Sequence, residues 1–558
     1  MNGHRSGGRE AGDRPLLRRQ TPGDLLRRSA GRFPTRIALV DGEVELTYRE
    51  LNELANRFAS RVLAGTAPGE RAVVLLPNSW QLVVALLGLA KAGVVAVPLN
   101  PILPPREVEW VIAHAQPRAL FCGAPSEGVC DSAIAHGALC AGPVPGAASP
   151  DVESFLAEGA AVEPEVPQAD DAAVQMLYTS GTENHPKGVV LTHRCLIAHY
   201  TSIAVDGEYS ADDVELHTHP LAHVAQLHSC LMPELMVGAT NIILDTTDPA
   251  AVLAAVRRHQ VTRMFGAPAF WVRSLRAGVL STEQMPSLRK VMYGGAPMPV
   301  QVLRDLHTAL PQVRFWNSYG LTEMSPSVAM LRPDDQLRKA GSAGRPALNV
   351  EIQIADERGR PLPAGERGEL LVRGPHLMAG YFRDPEASAR VTRGGWLHTG
   401  DVAVMDGEGF ITIVDRLKDL VKAGTVNVSS REVEEVLYEH PAVQEAAVIG
   451  VPHPEVVEAI VAVVVPRAGE TLDLREVWEH CRISLADFQV PHLLYQVDRL
   501  PRTSTGKVVK HLLRRQVADR VQRARLPMFA DRDVQPVPGR RRGARLRSGA
   551  RGGSAVER

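Results

Sequence analysis

Residues 176–189 read Met-Leu-Tyr-Thr-Ser-Gly-Thr-Glu-Asn-His-Pro-Lys-Gly-Val, and they constrain the fold more than any other stretch. The apolar run 173–178 has a strand's length. It breaks into a polar loop holding two Gly, two Thr, one Ser and one Lys, and residues 189–192 resume an apolar strand. A strand feeding such a loop points backbone N–H groups, hydroxyls and one ammonium at a phosphate chain. The Walker pattern G-x-x-x-x-G-K-[ST] is not met. Pro186 stands at its second Gly, and Gly188 follows Lys187, leaving no hydroxyl there for Mg²⁺. A plain polar hairpin is the alternative reading of this stretch by itself.

The rest of the chain alternates between strand and helix patterns. Residues 41–47 suggest a hairpin. Thr47 and Glu50 form a capping box, after which Leu51, Ala55, Phe58, Ala59 and Val62 recur at helical spacing. Residues 72–76 read as strand, 81–92 as helix and 94–98 as strand, an alternation that implies parallel β-α-β units covered on both faces. Residues 142–171, rich in Pro, Gly, Ala and acid, read as a surface excursion. Beyond the loop, strands are expected at 241–244, 262–266, 290–293 and 313–317, with helices at 249–259 and 300–310. Short strands at 350–355 and 368–372 suggest a small β subdomain. A charged break at 415–419 precedes a compact α+β unit, with a helix at 431–440 entered through Ser429-x-x-Glu432 and strands at 443–449 and 459–465.

The 558 residues suffice for several domains and a large core. A net charge of −1 gives no reason to expect nucleic acid or membrane binding. The six cysteines are scattered with no C-x-x-C pair, so neither zinc nor a disulfide framework is expected and a reducing cytoplasm is the natural setting. The most apolar stretch, 82–97, contains Lys91 and Gly93 and reads as helix, turn and strand rather than a membrane span. Residues 1–20 carry five Arg without an apolar run, and 531–558 carry eight Arg among Gly, Pro and Ser; both read as disordered extensions.

Four further stretches matter jointly. Tyr293-Gly-Gly-Ala-Pro297 ends a strand with small residues that let a flat ring approach the backbone. Asn317-Ser-Tyr-Gly-Leu-Thr-Glu323 puts an aromatic, a hydroxyl and a carboxylate on one strand exit, where α/β sheets bind ligands. Trp396-Leu-His-Thr-Gly-Asp401 offers a carboxylate in a turn, and Pro501-Arg-Thr-Ser-Thr-Gly-Lys507 is a polar glycine loop ending in Lys. In this order, from about Leu25 to Leu513, the chain resembles the adenylate-forming superfamily of acyl-CoA synthetases, peptide-synthetase adenylation domains and luciferases. The nearest branch is that of the fatty-acyl-CoA synthetases. The resemblance implies an α/β fold with a large N-terminal domain (21–415) of stacked mixed and parallel sheets plus a small β subdomain. A hinge (416–419, with Lys418) and a small mobile C-terminal α+β domain (420–530) would follow. It implies ATP and Mg²⁺ as cofactors and CoA as the default acceptor. Thr179, Ser180, Gly181, Thr182 and Lys187 would meet the ATP phosphates. Gly295, Ala296 and Pro297 would line the adenine, with Tyr319 stacked on it. Thr322 would meet the α-phosphate, Glu323 the Mg²⁺, and Asp401 the ribose hydroxyls, with Arg416 close by. His223 would gate the acid site, whose wall would include Gln226, Leu227, Ala267, Phe270 and Trp271. Lys507 would be the mobile catalytic lysine.

Two departures from the family pattern stand out. Glu183-Asn184 replaces the usual Thr/Ser-Gly of the loop. Lys422-Ala-Gly-Thr-Val-Asn-Val428 carries Thr425 and Val426 where CoA-using relatives have Gly and Glu. A β-branched residue there narrows the expected pantetheine passage. Beside a carboxylic acid and CoA, this leaves open a diazotase, which activates nitrite for attack by an aryl amine. Amino-acid activation is disfavoured because no Asp follows His223 to pair an amino group. An AMP-binding sensor would not need Thr322, Glu323, Asp401 and Lys507 together.

Overall fold

The computed structural model describes residues 19–123, 139–141, 151–179, 186–423, 426–454, 456–467, 470, 472–503, 508–521 and 528–530. The chain divides into two compact units. The first comprises Met1–Lys418 with Arg502–Lys507, and the second Asp419–Pro501 with Val508–Arg558.

Two large sheets carry the first unit. In the nine-stranded sheet, Ile37–Asp41, Thr240–Ile243, Val214–His217, Arg263–Phe265, Lys290–Gly294 and Arg314–Gly320 are parallel neighbours in that order. Antiparallel strands flank them at both edges. The seven-stranded sheet runs Gly380–Tyr381, Lys187–Thr192, Ala173–Thr179, Val95–Pro98, Arg71–Leu75, Ala119–Cys122 and Leu139–Ala141. A five-stranded antiparallel sheet over residues 351–416 is the small β subdomain expected from the short strands and close turns there.

Local chemistry explains where these elements start. Thr47 accepts the Glu50 amide while Glu50 reaches back to the Thr47 amide, which opens helix Tyr48–Leu63. That helix buries Leu51, Ala55, Phe58, Ala59 and Val62, the stripe its spacing announced. Helix Trp80–Ala92 is apolar on nearly every face because it is buried between other layers. Residues 142–171 hold more than an excursion. Helix Val152–Ala157 drives Phe155 onto Phe58 and Phe121, with ring centroids 5.4 and 5.5 Å apart. Two apolar residues in a polar, proline-rich stretch are too short a signal for periodicity to detect.

The second unit packs helices Ser430–Glu439 and Leu474–Ser484 against a six-stranded sheet centred on the pair Val443–His453 and Val457–Pro466. Ser429 accepts the Glu432 amide at 3.2 Å and so starts the first helix. Lys510 reaches Glu434 at 2.8 Å, and Arg514 reaches Asp419 at 2.9 Å.

Candidate active site

The site is built at the C-terminal ends of parallel strands in the first unit. Strands Lys290–Gly294 and Arg314–Gly320 run side by side, with Gly294 opposite Ser318. A Cβ on Gly294 would lie 2.3 Å from the Ser318 carbonyl oxygen, and one on Gly320 would lie 2.0 Å from that of Pro326. Only glycine permits either approach. Past the first strand, Gly295, Ala296 and Pro297 form an exposed ledge.

Tyr319 is half-buried and donates its hydroxyl to Asp401. The other oxygen of Asp401 accepts Arg416 Nε at 3.2 Å, across the register that pairs the two residues on neighbouring strands. Burial, with the Asp401 carboxylate beside it, raises the Tyr319 phenol well above its ordinary range, so it stays a neutral donor. The turn carrying Asp401 is fixed from below. The Asp401 amide donates to Thr399 Oγ1 (3.1 Å), the Gly400 amide to Glu369 (3.2 Å), and His398 pairs with the same carboxylate (2.7 Å).

Thr322 and Glu323 lie on the short 3₁₀ turn Thr322–Met324. Glu323 Oε1 accepts the Tyr381 hydroxyl at 2.8 Å, and the Lys187 ammonium sits 5.3 Å from the centre of the Tyr381 ring. Thr179 faces Lys187 across the antiparallel pair Ala173–Thr179 and Lys187–Thr192. Ser180, Gly181, Thr182, Thr425 and Lys507 lie outside the described residues. The donor set suits Mg²⁺, a hard cation that takes one or two carboxylates along with phosphate oxygens and water. Among the described residues no side chain is hydrogen-bonded to the second oxygen of Glu323, and the Thr322 hydroxyl lies beside it in sequence.

An open cleft of about 460 Å³ adjoins these groups. His223, Ala225, Ser229, Phe265 and Met292 line it together with Gly295, Ser318, Gly320 and Thr322. His223 caps helix Val224–Gln226, its Nδ1 accepting the Ala225 amide at 3.3 Å. The helix continues through a wide π turn, Leu227–Leu231, into Met232–Val237. Pro233 has no N–H to give the Ser229 carbonyl four residues back. The Tyr209 hydroxyl takes that carbonyl instead. Ser229 lines the cleft, and its hydroxyl is buried and has no hydrogen-bond partner among the described residues.

The five residues expected in the acid wall are not among those that line this cleft. Gln226 is fully buried and donates to His217 (2.7 Å), which in turn bonds Asn241 (2.9 Å) in the sheet core. Burial lowers the His217 imidazole to about 4, so this chain is neutral. Leu227 lines a separate inner gap with Leu86, Leu196 and Met232. Ala267 caps helix Pro268–Arg276, and Phe270 and Trp271 pack beneath it. Ala225, Ser229, Phe265 and Met292 line the cleft without having been expected there. The i, i+4 spacing of Ala225 and Ser229 after His223 was the signal that could have found two of them.

Comparison with known proteins identifies the family. Residues 26–382 match the AMP-binding enzyme family, and residues 432–507 match the AMP-binding enzyme C-terminal domain. A feruloyl-CoA synthase of an Amycolatopsis species is 36% identical over 89% of this chain and 99% of its own length. The long-chain-fatty-acid–CoA ligase FadD13 of Mycobacterium tuberculosis is 33% identical over 88% and 98%. The crystal structure of ATP-bound MatB from Rhodopseudomonas palustris superposes with a TM-score of 0.84 at 29% identity, covering 90% of this chain and all of that one. The chain therefore belongs to the AMP-binding enzyme family and is an ATP-dependent, AMP-forming ligase.

Proposed function

We propose that this ligase activates a compact, ring-bearing carboxylic acid as its acyl-adenylate and passes the acyl group to the thiol of coenzyme A. The carrying observation is one cleft shared by His223, Ala225, Ser229, Phe265 and Met292 on the acid side and Gly295, Ser318, Gly320 and Thr322 on the nucleotide side. An acid lying there has its carboxylate next to the groups read as holding the α-phosphate. The carboxylate oxygen attacks the α-phosphorus in line, the new O–P bond forms, and the bond to the pyrophosphate oxygen breaks. Little covalent machinery is needed, only positioning and neutralisation of charge. Tyr319 supplies a ring face for adenine. Asp401, preset by Tyr319 and Arg416, accepts the ribose hydroxyls. Thr179, Ser180, Gly181, Thr182 and Lys187 meet the phosphates, and Thr322 the α-phosphate. Mg²⁺, held through Glu323 when bound, supplies positive charge at the phosphate oxygens. Lys507, on the far side of a hinge at Lys418, adds its ammonium at the reacting centre. CoA thiolate then attacks the acyl carbonyl and AMP leaves.

The acid class follows from Ser229. A buried hydroxyl with no partner costs about 1–3 kcal/mol. An alkyl tail leaves that cost in place, whereas an aromatic acid with a hydroxyl or ether at its far end removes it. The likeness to a feruloyl-CoA synthase supports the same class, and the CoA ligases among the relatives support the acceptor. None of the three relatives supports nitrite. The test measures pyrophosphate and thioester formation with hydroxyaryl, deoxyaryl and long-chain acids, each with and without CoA. Rapid thioester formation with a hydroxyaryl acid is expected, and Thr425→Gly should raise the thioester rate while sparing acyl-AMP formation. Pyrophosphate release only with nitrite and an aryl amine would overturn the reading.

A further inference from the structure

We propose that Tyr381 is a positioning residue of the adenylation step, one side chain that sets the Glu323 carboxylate and the Lys187 ammonium at once. This rests on reading Glu323 as the Mg²⁺ ligand and Lys187 as a phosphate ligand. Tyr381 lies far from both in sequence, in a stretch with no feature of its own that suggests chemistry.

The backbone around Tyr381 is stitched to both partners. Strand Gly380–Tyr381 pairs antiparallel with Lys187–Thr192, placing Tyr381 opposite Val189. The Ala379 amide donates to Val190 O at 2.9 Å and the Phe382 amide to Gly188 O at 2.7 Å. On the other side the Met378 amide donates to Glu323 O at 2.8 Å. The Tyr381 amide is itself fixed by Ser388 Oγ at 2.8 Å. Residues 378–382 therefore bridge the end of the phosphate-loop hairpin and the turn that carries Glu323.

The side chain repeats that bridge. A phenol has one hydrogen, and Tyr381 gives it to Glu323 Oε1 at 2.8 Å. That bond fixes the carboxylate plane and leaves Oε2 for a cation. A glutamate otherwise loses substantial rotamer freedom when it is fixed on a metal. Meanwhile the ring presents its face to Lys187 Nζ at 5.3 Å, within cation–π range.

The experiment uses the full chain with two substitutions that divide the roles. Tyr381→Phe keeps the ring under Lys187 and removes the donor, whereas Tyr381→Leu removes both. Calorimetry reads the Kd for ATP with Mg²⁺ and with EDTA, and pyrophosphate release reads the half-saturating Mg²⁺ concentration. For Tyr381→Phe, half-saturation should rise about ten-fold, the order carried by a hydrogen bond to a charged group. Its Kd for ATP in EDTA, its KM for the acid and its Tm should stay near the parent's. Tyr381→Leu should in addition weaken ATP binding in EDTA. If Tyr381→Phe leaves the Mg²⁺ dependence unchanged while Glu323→Gln raises it, the proposal fails and the reading of Glu323 stands. If Glu323→Gln also changes nothing, both fall.

Discussion

Replacing Asp401 by Asn keeps its volume and removes one acceptor oxygen and the charge. Asp401 is 6% exposed and serves two donors, Tyr319 on Oδ2 and Arg416 on Oδ1. The Arg416 side chain is 53% exposed, so solvent screening holds that pair to about 0–1 kcal/mol. The Tyr319 bond is sheltered. Converting it from a charged to a neutral acceptor costs about 1 kcal/mol, and the same conversion at the ribose hydroxyls adds about 1–2 kcal/mol. The Tyr319 bond is already made in the free enzyme and enters stability, so the ribose contribution of about 1–2 kcal/mol predicts a fall of about 5–30-fold in kcat/KM for ATP. Because the acid cleft is lined by other residues, KM for the acid should move little. The assay is pyrophosphate release with ATP varied at saturating acid, then the reverse, with a thermal melt as control. A fall below about three-fold for ATP, or a larger effect on the acid, would refute the assignment.

Three other outcomes are expected. Lys507→Ala should abolish adenylate formation while ATP binding, read by calorimetry, largely survives, because its charge acts on the transition state. Ser229→Ala should lower kcat/KM for a hydroxyaryl acid about ten-fold and leave its deoxy analogue nearly unchanged, as a selectivity assay would show. Glu215 and Glu234 share the Arg263 guanidinium at 3.1 and 3.2 Å, all three buried. Burial raises the Glu215 carboxyl from its ordinary 4.5 to about 7, so between those values the native state holds a proton that the unfolded chain has lost. Stability from this group is therefore full below pH 4.5 and declines as pH rises through 7. Glu215→Gln mimics the protonated form, so its Tm relative to the parent should rise steadily from pH 5 to pH 8.

Much of the framework was legible because long apolar patterns carry a period. The strand at residues 290–293 and the helix at 249–259 lie in the structure within a residue of where spacing put them. The antiparallel return of Lys187–Thr192 was visible as a second apolar run. Pairing direction was not, since hydrophobicity does not encode it. The nucleotide side of the site came from short motifs, and the structure brings Tyr319, Asp401 and Arg416 into one chain of contacts. The lining of the cleft was not legible for a local reason. Gln226 and Leu227 follow His223 closely, but the helix they enter turns their side chains inward and presents Ala225 and Ser229 instead. Tyr381 was invisible because its importance comes from strand pairing between residues nearly two hundred positions apart.

The wide turn at Leu227–Leu231 has a consequence for how this enzyme's selectivity can change. A π turn holds one more residue than the α-helical turn it replaces. Deleting a single codon there would return the segment to regular winding and leave the flanking turns nearly in phase, because the wide turn takes up its extra residue within one revolution. The change would be confined to the stretch that carries Ser229, with no substitution in the nucleotide half. Pro233 guards against that slippage, since it cannot supply the hydrogen bond that regular winding would demand. The wide turn is therefore a point where one wall of the cleft can be altered by length rather than by composition.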